Sequence, residues 1–291
     1  MPGTLAGRTV LMSGGSRGIG LAIALRAAAD GANVVMLAKT GEPHATLEGT
    51  VHSACAEVER AGGQALAVVG DVRSDEDVQR AVDAAVERFG GIDVVLNNAS
   101  ALDLRSTREI GMKRYDLMMD INARGTFLLS KTAIPHLERS DNAHVLTLSP
   151  PLDLRPKWAG TYLAYTMAKY GMSLVTLGLA EELRQAGIAA NSLWPRTTVA
   201  TAAVVNLLGG QEAVARSRTP QIMADAAHAV LVRDSRTCTG NFYLDEQVLA
   251  EEGVTDLSGY RADPDSSLPL DTDLFLDADA SDSSAPSDLS Q

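Results

Sequence analysis

Near its start the chain runs Thr9-Val10-Leu11-Met12-Ser13 into Gly14-Gly15-Ser16-Arg17-Gly18-Ile19-Gly20 and then into the alanine-rich stretch Leu21 to Asp30. An apolar run that breaks into glycines and resumes with helix formers reads as a strand, a tight turn and a helix start. Gly14 allows the turn, Gly18 allows a close approach of backbone to a pyrophosphate, and Gly20 allows close helix packing, with phosphate charge at the helix N-terminus. A glycine turn alone also suits a purely structural role. Its place after a strand, at the opening of a βαβ unit, points to dinucleotide binding.

Strand and helix patterns then alternate along the chain, which argues for a parallel sheet. Strands are expected near 8–13, 33–38, 64–70, 92–97, 144–149, 189–194 and 240–244. Helices are expected over Ile19 to Asp30, Thr46 to Ala61, Ser74 to Phe89, Glu109 to Leu137, Tyr162 to Gln185 and Val199 to Leu208. Ser74-Asp75-Glu76-Asp77 reads as a capping box, with Ser74 as N-cap and Asp77 reaching back. Aromatic residues make up only 4% of a chain that is 45% hydrophobic, so its core must be built from Ala, Val, Leu and Ile, as parallel strands under alanine-rich helices would be. The fold class that follows is α/β: a single-domain, Rossmann-type doubly wound parallel sheet of about seven strands with helices on both faces. Its ligand crevice would lie outside the carboxyl ends of the strands, where Gly14, Lys39, Asp71, Asn97 and Ser149 fall.

Tyr165-Thr166-Met167-Ala168-Lys169 carries the chemistry. At i and i+4 on a helix the phenol and the ammonium share a face, so the cation can stabilise a phenolate and lower its pKa. A phenol so poised exchanges a proton with a carbonyl or alcohol oxygen. Taken alone, the pair also fits a half-buried Tyr beside a solvated Lys.

Joined to the glycine turn, these residues resemble the short-chain dehydrogenase/reductase family, whose Thr/Ser-Gly-x-x-x-Gly-x-Gly pattern reads here Ser13 to Gly20. The likeness spans residues 8 to about 245. The family's Asn-Asn-Ala-Gly motif is present as Asn97-Asn98-Ala99-Ser100, its helix Asn as Asn122 and its catalytic Ser as Ser149. The resemblance implies a catalytic set of Asn122, Ser149, Tyr165 and Lys169. Ser149 and Tyr165 would hydrogen-bond the carbonyl, Lys169 would bind ribose hydroxyls and tune Tyr165, and Asn122 would hold a water linking Lys169 to solvent. Ser149 lies a few residues further from Tyr165 than the family spacing, so Pro150-Pro151 and Asp153 to Trp158 must loop out, and Thr147 is the alternative hydroxyl. The resemblance also implies cofactor contacts from Gly14, Ser16, Arg17, Gly18, Ile19, Gly20, Lys39, Asp71, Val72, Asn98, Ala99, Tyr165, Lys169, Pro195, Thr197 and Thr198. Asp71 and Val72 would meet the adenine.

Cofactor choice follows from charge. A carboxylate about 20 residues beyond the glycine turn would accept a ribose 2′-hydroxyl, whereas cations there accommodate a 2′-phosphate. The second strand ends Ala38-Lys39-Thr40 with no carboxylate, and Arg17 sits inside the turn. NADP(H) is therefore expected over NAD(H), with no metal. The segment 196–220 is where the family places its substrate lid, and its apolar first half favours an apolar carbonyl or alcohol. Trp158, Tyr162 and Met172 fit either that pocket or the core.

The net charge of −12 speaks against nucleic acid as a partner. Much of it lies beyond Arg261, among Asp, Ser and Pro, so residues 1–248 are expected to form the catalytic domain and 249–291 an acidic extension, largely disordered from about 278. Leu268 to Leu276 is apolar enough to dock on the domain or on a neighbouring subunit. No membrane span or N-terminal signal pattern is evident, and Cys55 and Cys238 read as inert thiols, which suggests a cytoplasmic protein. A homodimer or homotetramer is expected. The competing functional readings are a non-catalytic NADP(H)-binding regulator and a dehydratase or epimerase on the same scaffold.

Overall fold

A computed structural model describes residues 3–43, 49–207 and 209–278. Seven parallel strands, β1 (Thr9–Ser13), β2 (Asn33–Ala38), β3 (Gln64–Val69), β4 (Val94–Asn97), β5 (His144–Thr147), β6 (Ala189–Trp194) and β7 (Phe242–Leu244), form one sheet in the order β3-β2-β1-β4-β5-β6-β7. The order reverses direction between β1 and β4, so the carboxyl ends of those strands open a crevice at the switch point.

Because successive side chains on a strand point to opposite faces, the fully buried strands feed two cores at once. Met12, Met36, Leu96 and Leu146 face one way, against α1 (Gly18–Ala29), α2 (Val51–Arg60) and a later helix. Leu11, Val35, Val95 and Val145 face the other, against α3 (Asp75–Phe89) and two long helices. On α1 the contact surface is largely alanine (Ala24, Ala27 and Ala28), which lets the helix lie close to the sheet. Ser74 caps α3 by accepting from Asp77 N, but Asp77 reaches instead to the backbone N–H of Asp71, so only half of the expected box forms.

The helix expected over 109–137 is three pieces: α4 (Met112–Met118), a π-helical turn (Met119–Arg124) and α5 (Gly125–Leu137). The extra residues between β5 and the tyrosine helix form a short helix, α6 (Pro156–Thr161), and α7 (Leu163–Glu182) follows. Beyond β6 come α8 (Ala202–Leu207), α9 (Gly210–Ala215), α10 (Gln221–Leu231) and, after β7, α11 (Asp245–Glu251). The sequence pattern predicts no α10. Ile222, Met223, Ala226, Ala227 and Val230 are all buried on it, packed with α1 and α11, so it lacks the polar face that would mark it as helical.

The boundary expected at 248 falls inside α11, because Val248 and Leu249 are buried in the main core. After it the chain turns through Ser258–Tyr260 and runs back across the sheet's carboxyl edge. Thr219 N donates to Tyr260 O (2.7 Å), Ala262 N to Ser217 O (3.0 Å) and Thr198 N to Asp271 O (2.9 Å), and Thr197 bridges Thr272 antiparallel. The expected disorder from about 278 concerns positions that lie, beyond Ala278, outside the described residues. Among the described residues no helix is long and apolar enough to cross a membrane.

Candidate active site

Two adjoining cavities open along the carboxyl ends of the strands. The first, of about 420 Å³, is lined by Gly14, Ser16, Arg17, Gly18, Ile19, Lys39, Asp71, Val72, Asn98 and Ala99. The second, of about 400 Å³, contains Tyr165, Lys169, Pro195 and Thr198. Ile19, Asn98, Ser100 and Thr201 line both, so the two form one crevice.

The first cavity is shaped by the glycine turn. Gly14 (φ 75°) and Gly18 (φ 56°) occupy the left-handed region that side chains disfavour. Gly20 does not line the cavity. It acts from beneath, since a Cβ there would sit 2.6 Å from Asn98 Nδ2 and 2.7 Å from Gly14 O. Asn98 Nδ2 ties the turn down by donating to Ser13 O and Gly14 O, while Ser13 Oγ accepts from the backbone of Asn98 and Ala99.

Two cations stand at the outer end of this cavity. Arg17 donates through Nη2 to Gly49 O (2.7 Å), whereas its buried Nε has no partner. Lys39, 58% exposed, reaches Asp71 at 3.0 Å. The carboxylate of Asp71 is gripped by the Arg73 guanidinium, which with Lys39 holds it well below the usual carboxylate range. Thr197 stands outside both linings, and its buried hydroxyl is also without a partner. The glycine cradle and the unpaired Nε of Arg17 suit an extended, polar, anionic ligand such as a dinucleotide.

In the second cavity α7 delivers Tyr165 and Lys169, one turn apart and almost fully buried. Lys169 Nζ donates to Leu148 O (2.8 Å) and lies 5.0 Å from the centre of the Trp194 ring. Burial pulls the ammonium down to about 7, against the opposing pull of Asp273. Burial pushes the Tyr165 phenol up, and Asp273 adds to the rise. The lowered phenol pKa expected from the i, i+4 pairing is therefore corrected: desolvation and Asp273 raise it, and the Lys169 ammonium donates to Leu148 O.

Ser149 is also corrected. β5 ends at Thr147, and a three-residue turn closed by Ser149 N to Thr147 O (3.0 Å) breaks the strand alternation. Leu148 thus faces the cavity, while the fully buried Ser149 Oγ pairs with Ser192 Oγ at 2.8 Å. Thr147, the alternative hydroxyl, is equally buried and lines neither cavity. Asn122 spends both ends of its amide on Ala101, accepting from its N–H (2.7 Å) and donating to its O (3.0 Å). From the π-helical turn it thereby ties down Ala101, beside the loop carrying Asn98 to Ser100. Trp158, Tyr162 and Met172 pack around the site without lining the cavity.

The residues missed by sequence reasoning come from the returning C-terminal segment. Asp271, Thr272, Asp273 and Leu274 line the Tyr165 cavity, and Phe275 stacks on the Tyr165 ring. The one sequence signal was the apolar cluster Leu268 to Leu276 in an otherwise acidic stretch. Asp273 is part-buried in the cavity wall, and desolvation there lifts its carboxyl to about 7; the neighbouring Asp245 adds to the rise, while the Leu274 N–H and Lys169 oppose it. Asp245, at the start of α11, is itself raised to about 6 by burial.

This arrangement sets a pH signature. A carboxyl raised from its unfolded value of 3.8 to about 7 binds a proton more tightly when folded, so its contribution to stability falls as pH rises between those values, and the cost is fully present above about 7. Asp273→Asn is therefore expected to raise the melting temperature by a few degrees at pH 8 and to match wild type near pH 4. Melts across that range test this; equal shifts at both ends would show that the Asp273 carboxyl does not titrate inside the fold.

The comparisons agree with this geometry. A family model described as short chain dehydrogenase matches residues 8–210. The Danio rerio protein "Hydroxysteroid dehydrogenase-like protein 2" is 51% identical over 280 residues, covering 96% of this chain and 66% of its own length, so the chain spans just under two thirds of that relative. Among solved structures, a putative dehydrogenase from Xanthomonas campestris superposes with a TM-score of 0.91 at 53% identity, covering 94% of this chain and all of that one. A short chain dehydrogenase from Mycobacterium thermoresistibile gives 0.89 at 58% identity, covering 94% of this chain and 97% of the other. A parallel seven-stranded sheet that opens at its switch point between a glycine turn and a Tyr-x-x-x-Lys helix, matched over most of its length, makes this chain a member of the short-chain dehydrogenase family of oxidoreductases.

Proposed function

We propose that the protein is an NADP(H)-dependent oxidoreductase acting on an apolar carbonyl or alcohol, with Tyr165 as the proton-exchanging group. The observation that carries this reading is that Tyr165 and Lys169 line a cavity continuous with the glycine-turn crevice. Gly14, Gly18 and Asn98 would cradle the pyrophosphate, and Lys169, Pro195 and Thr198 would hold the far end of the dinucleotide. Bound there, a reduced nicotinamide would supply hydride to the carbonyl carbon.

The chain's own residues handle the proton. A phenol pushed up by burial is a protonated donor at neutral pH, and it gives its proton to the oxygen as negative charge develops there. Lys169, almost fully buried beside it, supplies positive charge when protonated, and Leu148 O fixes its ammonium. Because Ser149 is committed to Ser192, Tyr165 is the group assigned to the substrate oxygen, and Asn122 is a positioning residue for the loop under the cofactor. Leu102, Leu148, Val199, Val204, Met223 and Leu274 give the cavity its apolar walls. Consumption of NADPH and of NADH over a panel of aliphatic and aromatic aldehydes and ketones tests the reading, and no turnover with either cofactor would favour a non-catalytic binding protein.

The preference for NADP(H) rests on Arg17 and Lys39. Hydrogen bonds to a charged partner contribute roughly 1.5–3 kcal/mol, so Arg17→Ala or Lys39→Ala is expected to weaken NADPH binding about ten- to a hundredfold and to leave NADH nearly unchanged. Equal losses for both cofactors, measured by titration, would remove the 2′-phosphate from the argument.

A stripe of exposed apolar side chains runs along α7 at Leu163, Met167, Leu174 and Leu177, with Phe127 of α5 also exposed. Its spacings of four, seven and three residues keep it on one face of the helix and suit packing against another helix, which supports assembly with a second copy of the chain. Leu174→Asp is expected to lower the mass seen in light scattering.

A further inference from the structure

Of the described residues lining the Tyr165 cavity, only Tyr165, Lys169, Asp271 and Asp273 titrate, and Lys169 is the sole cation. Its ammonium donates to Leu148 O and approaches Met172 Sδ at 3.6 Å, and neither is an anion. A charge withdrawn this far from water is costly unless an opposite charge stands near it. Asp271 is committed elsewhere, because Arg216 holds its carboxylate at 2.8 Å. Elements packed on α7 carry other charges, but these are turned to other partners: Arg124 to Asp75, Arg114 to Asp103, Lys157 to Asp277, and Asp120 toward Arg73. The charges that bear on the Asp273 carboxyl are those of Lys169 and of Asp245 at the start of α11.

Asp273 is carried by a strap, residues 268–277, that is fastened on both sides of it. Thr198 N donates to Asp271 O (2.9 Å), Asp273 N to Arg196 O (3.1 Å) and the Trp194 indole N–H to Leu274 O (2.9 Å). The face of the same indole lies 5.0 Å from Lys169 Nζ. One ring therefore fixes the ammonium by its face and the residue after Asp273 by its edge. Leu274 N in turn donates to Asp273 Oδ1 at 2.7 Å, which orients the carboxylate. Beyond it Phe275 is buried among the rings of Trp158, Tyr165, Tyr170 and Trp194. At the strap's end the Asp277 carboxylate receives Arg155 and Lys157, so α6 and its N-cap, made from the extra residues between β5 and Tyr165, act as a clamp.

We propose that Asp273 is a positioning residue for the proton-transfer pair: as a carboxylate sharing the cavity of Lys169, it is the counter-charge that keeps the Lys169 ammonium protonated while Tyr165 gives up its proton. A negative charge nearby favours the charged form of a buried amine, whereas burial alone disfavours it. Contact is not required, since in a partly desolvated cavity a charge is felt beyond hydrogen-bond distance. The directions agree: burial pulls the Lys169 ammonium down to about 7, and Asp273 opposes that pull. The same carboxylate helps to hold the Tyr165 phenol protonated until charge develops on the substrate oxygen. This inference rests on the oxidoreductase reading for its role in the reaction, and its test separates the two.

Asp273→Asn removes the charge and keeps the shape, whereas Asp273→Glu keeps the charge. Lysine labelled with carbon-13 at Cε gives signals from Lys39, Lys113, Lys131, Lys157 and Lys169 alone, and the signal lost in Lys169→Arg is that of Lys169. Its titration midpoint, followed by NMR on the full chain without substrate, is expected to fall by about one pH unit in Asp273→Asn and to stay near wild type in Asp273→Glu. The falling limb of kcat/KM for reduction of hexanal by NADPH is expected to move with it. Asp273→Asn is then within about threefold of wild type at pH 6 and slower by roughly tenfold at pH 8. Thermal melts of the same variant distinguish this loss from unfolding, because its stability at pH 8 is expected to rise. A Lys169 midpoint that stays in place in Asp273→Asn, or that falls as far in Asp273→Glu, overturns the proposal. So does an activity profile that does not move while the midpoint falls. If the wild-type chain reduces no aldehyde with NADPH or NADH, the oxidoreductase reading fails, and the NMR midpoints still decide whether Asp273 is the counter-charge of Lys169.

Discussion

Tyr165→Phe is expected to lower turnover by about 10²-fold or more while leaving cofactor affinity and thermal stability close to wild type. The prediction is sharp because the substitution removes one oxygen and nothing else. The ring stays packed against Phe275, and no hydrogen bond within the protein depends on the lost hydroxyl among the described contacts of Tyr165. Ser149 cannot stand in, since its hydroxyl is buried against Ser192. Steady-state rates with a productive aldehyde, set beside NADPH titration, measure both halves. Turnover within threefold of wild type would take Tyr165 out of the mechanism.

The parts of this site that were legible in the sequence share a physical property: local pattern determines them. β1, the glycine turn and α1 follow from an apolar run, glycines at fixed offsets and alanines, and all seven strands lie where the alternation of patterns places them. Tyr165 and Lys169 are one helical turn apart, so their common cavity follows from spacing alone. Ser149 depended on where β5 stops. Strand alternation carried past Thr147 predicts a cavity-facing side chain, but the Ser149 N to Thr147 O turn, followed by Pro150 and Pro151, rotates the hydroxyl under β6. The pKa of Tyr165 depended on burial, which is a property of the whole fold: the strap that encloses the phenol is more than a hundred residues away in sequence. For α10 the obstacle was the opposite of weak signal, since a helix buried nearly all round has no amphipathic period to read.

The strap shows why composition misleads when it is averaged. Counted from 249 to 291 the chain is acidic and poor in large apolar residues, and that average describes a solvated tail. Yet Leu274 and Leu276 pack against the aromatic cluster that buries Phe275, and its charges are not idle: Asp271 meets Arg216 at 2.8 Å, Asp277 meets Arg155, and Asp273 lines the cavity that holds Lys169. Three acidic residues that look like solubilising charge in the sequence are, in the fold, two anchors and one group in the wall of the active-site cavity.

Removal of this strap is therefore expected to be the most damaging truncation of the chain short of its core. Cutting after Ser267 deletes Phe275 and leaves Trp158, Tyr165, Tyr170 and Trp194 without the ring they enclose. Truncating a buried Phe to Ala alone costs about 3–5 kcal/mol, which for a domain of this size corresponds to a fall in melting temperature on the order of 10 °C. The backbone links from Thr198 to Asp271 and from Asp273 to Arg196 go with it, so the loop after β6 that carries Pro195 and Thr198 loses its outer support. Activity should fall with stability, because water then reaches Lys169 and Tyr165. Cutting after Ala278 instead removes only Asp, Ala, Ser, Pro, Leu and Gln residues with almost nothing apolar among them, and it keeps Asp277 on its clamp. The chain ending at Ala278 is expected to melt and turn over as the full chain does. Thermal melts and rates on the two truncated chains decide the matter, and identical behaviour of both would mean that the stretch beyond Ser267 contributes nothing to the fold or to the site.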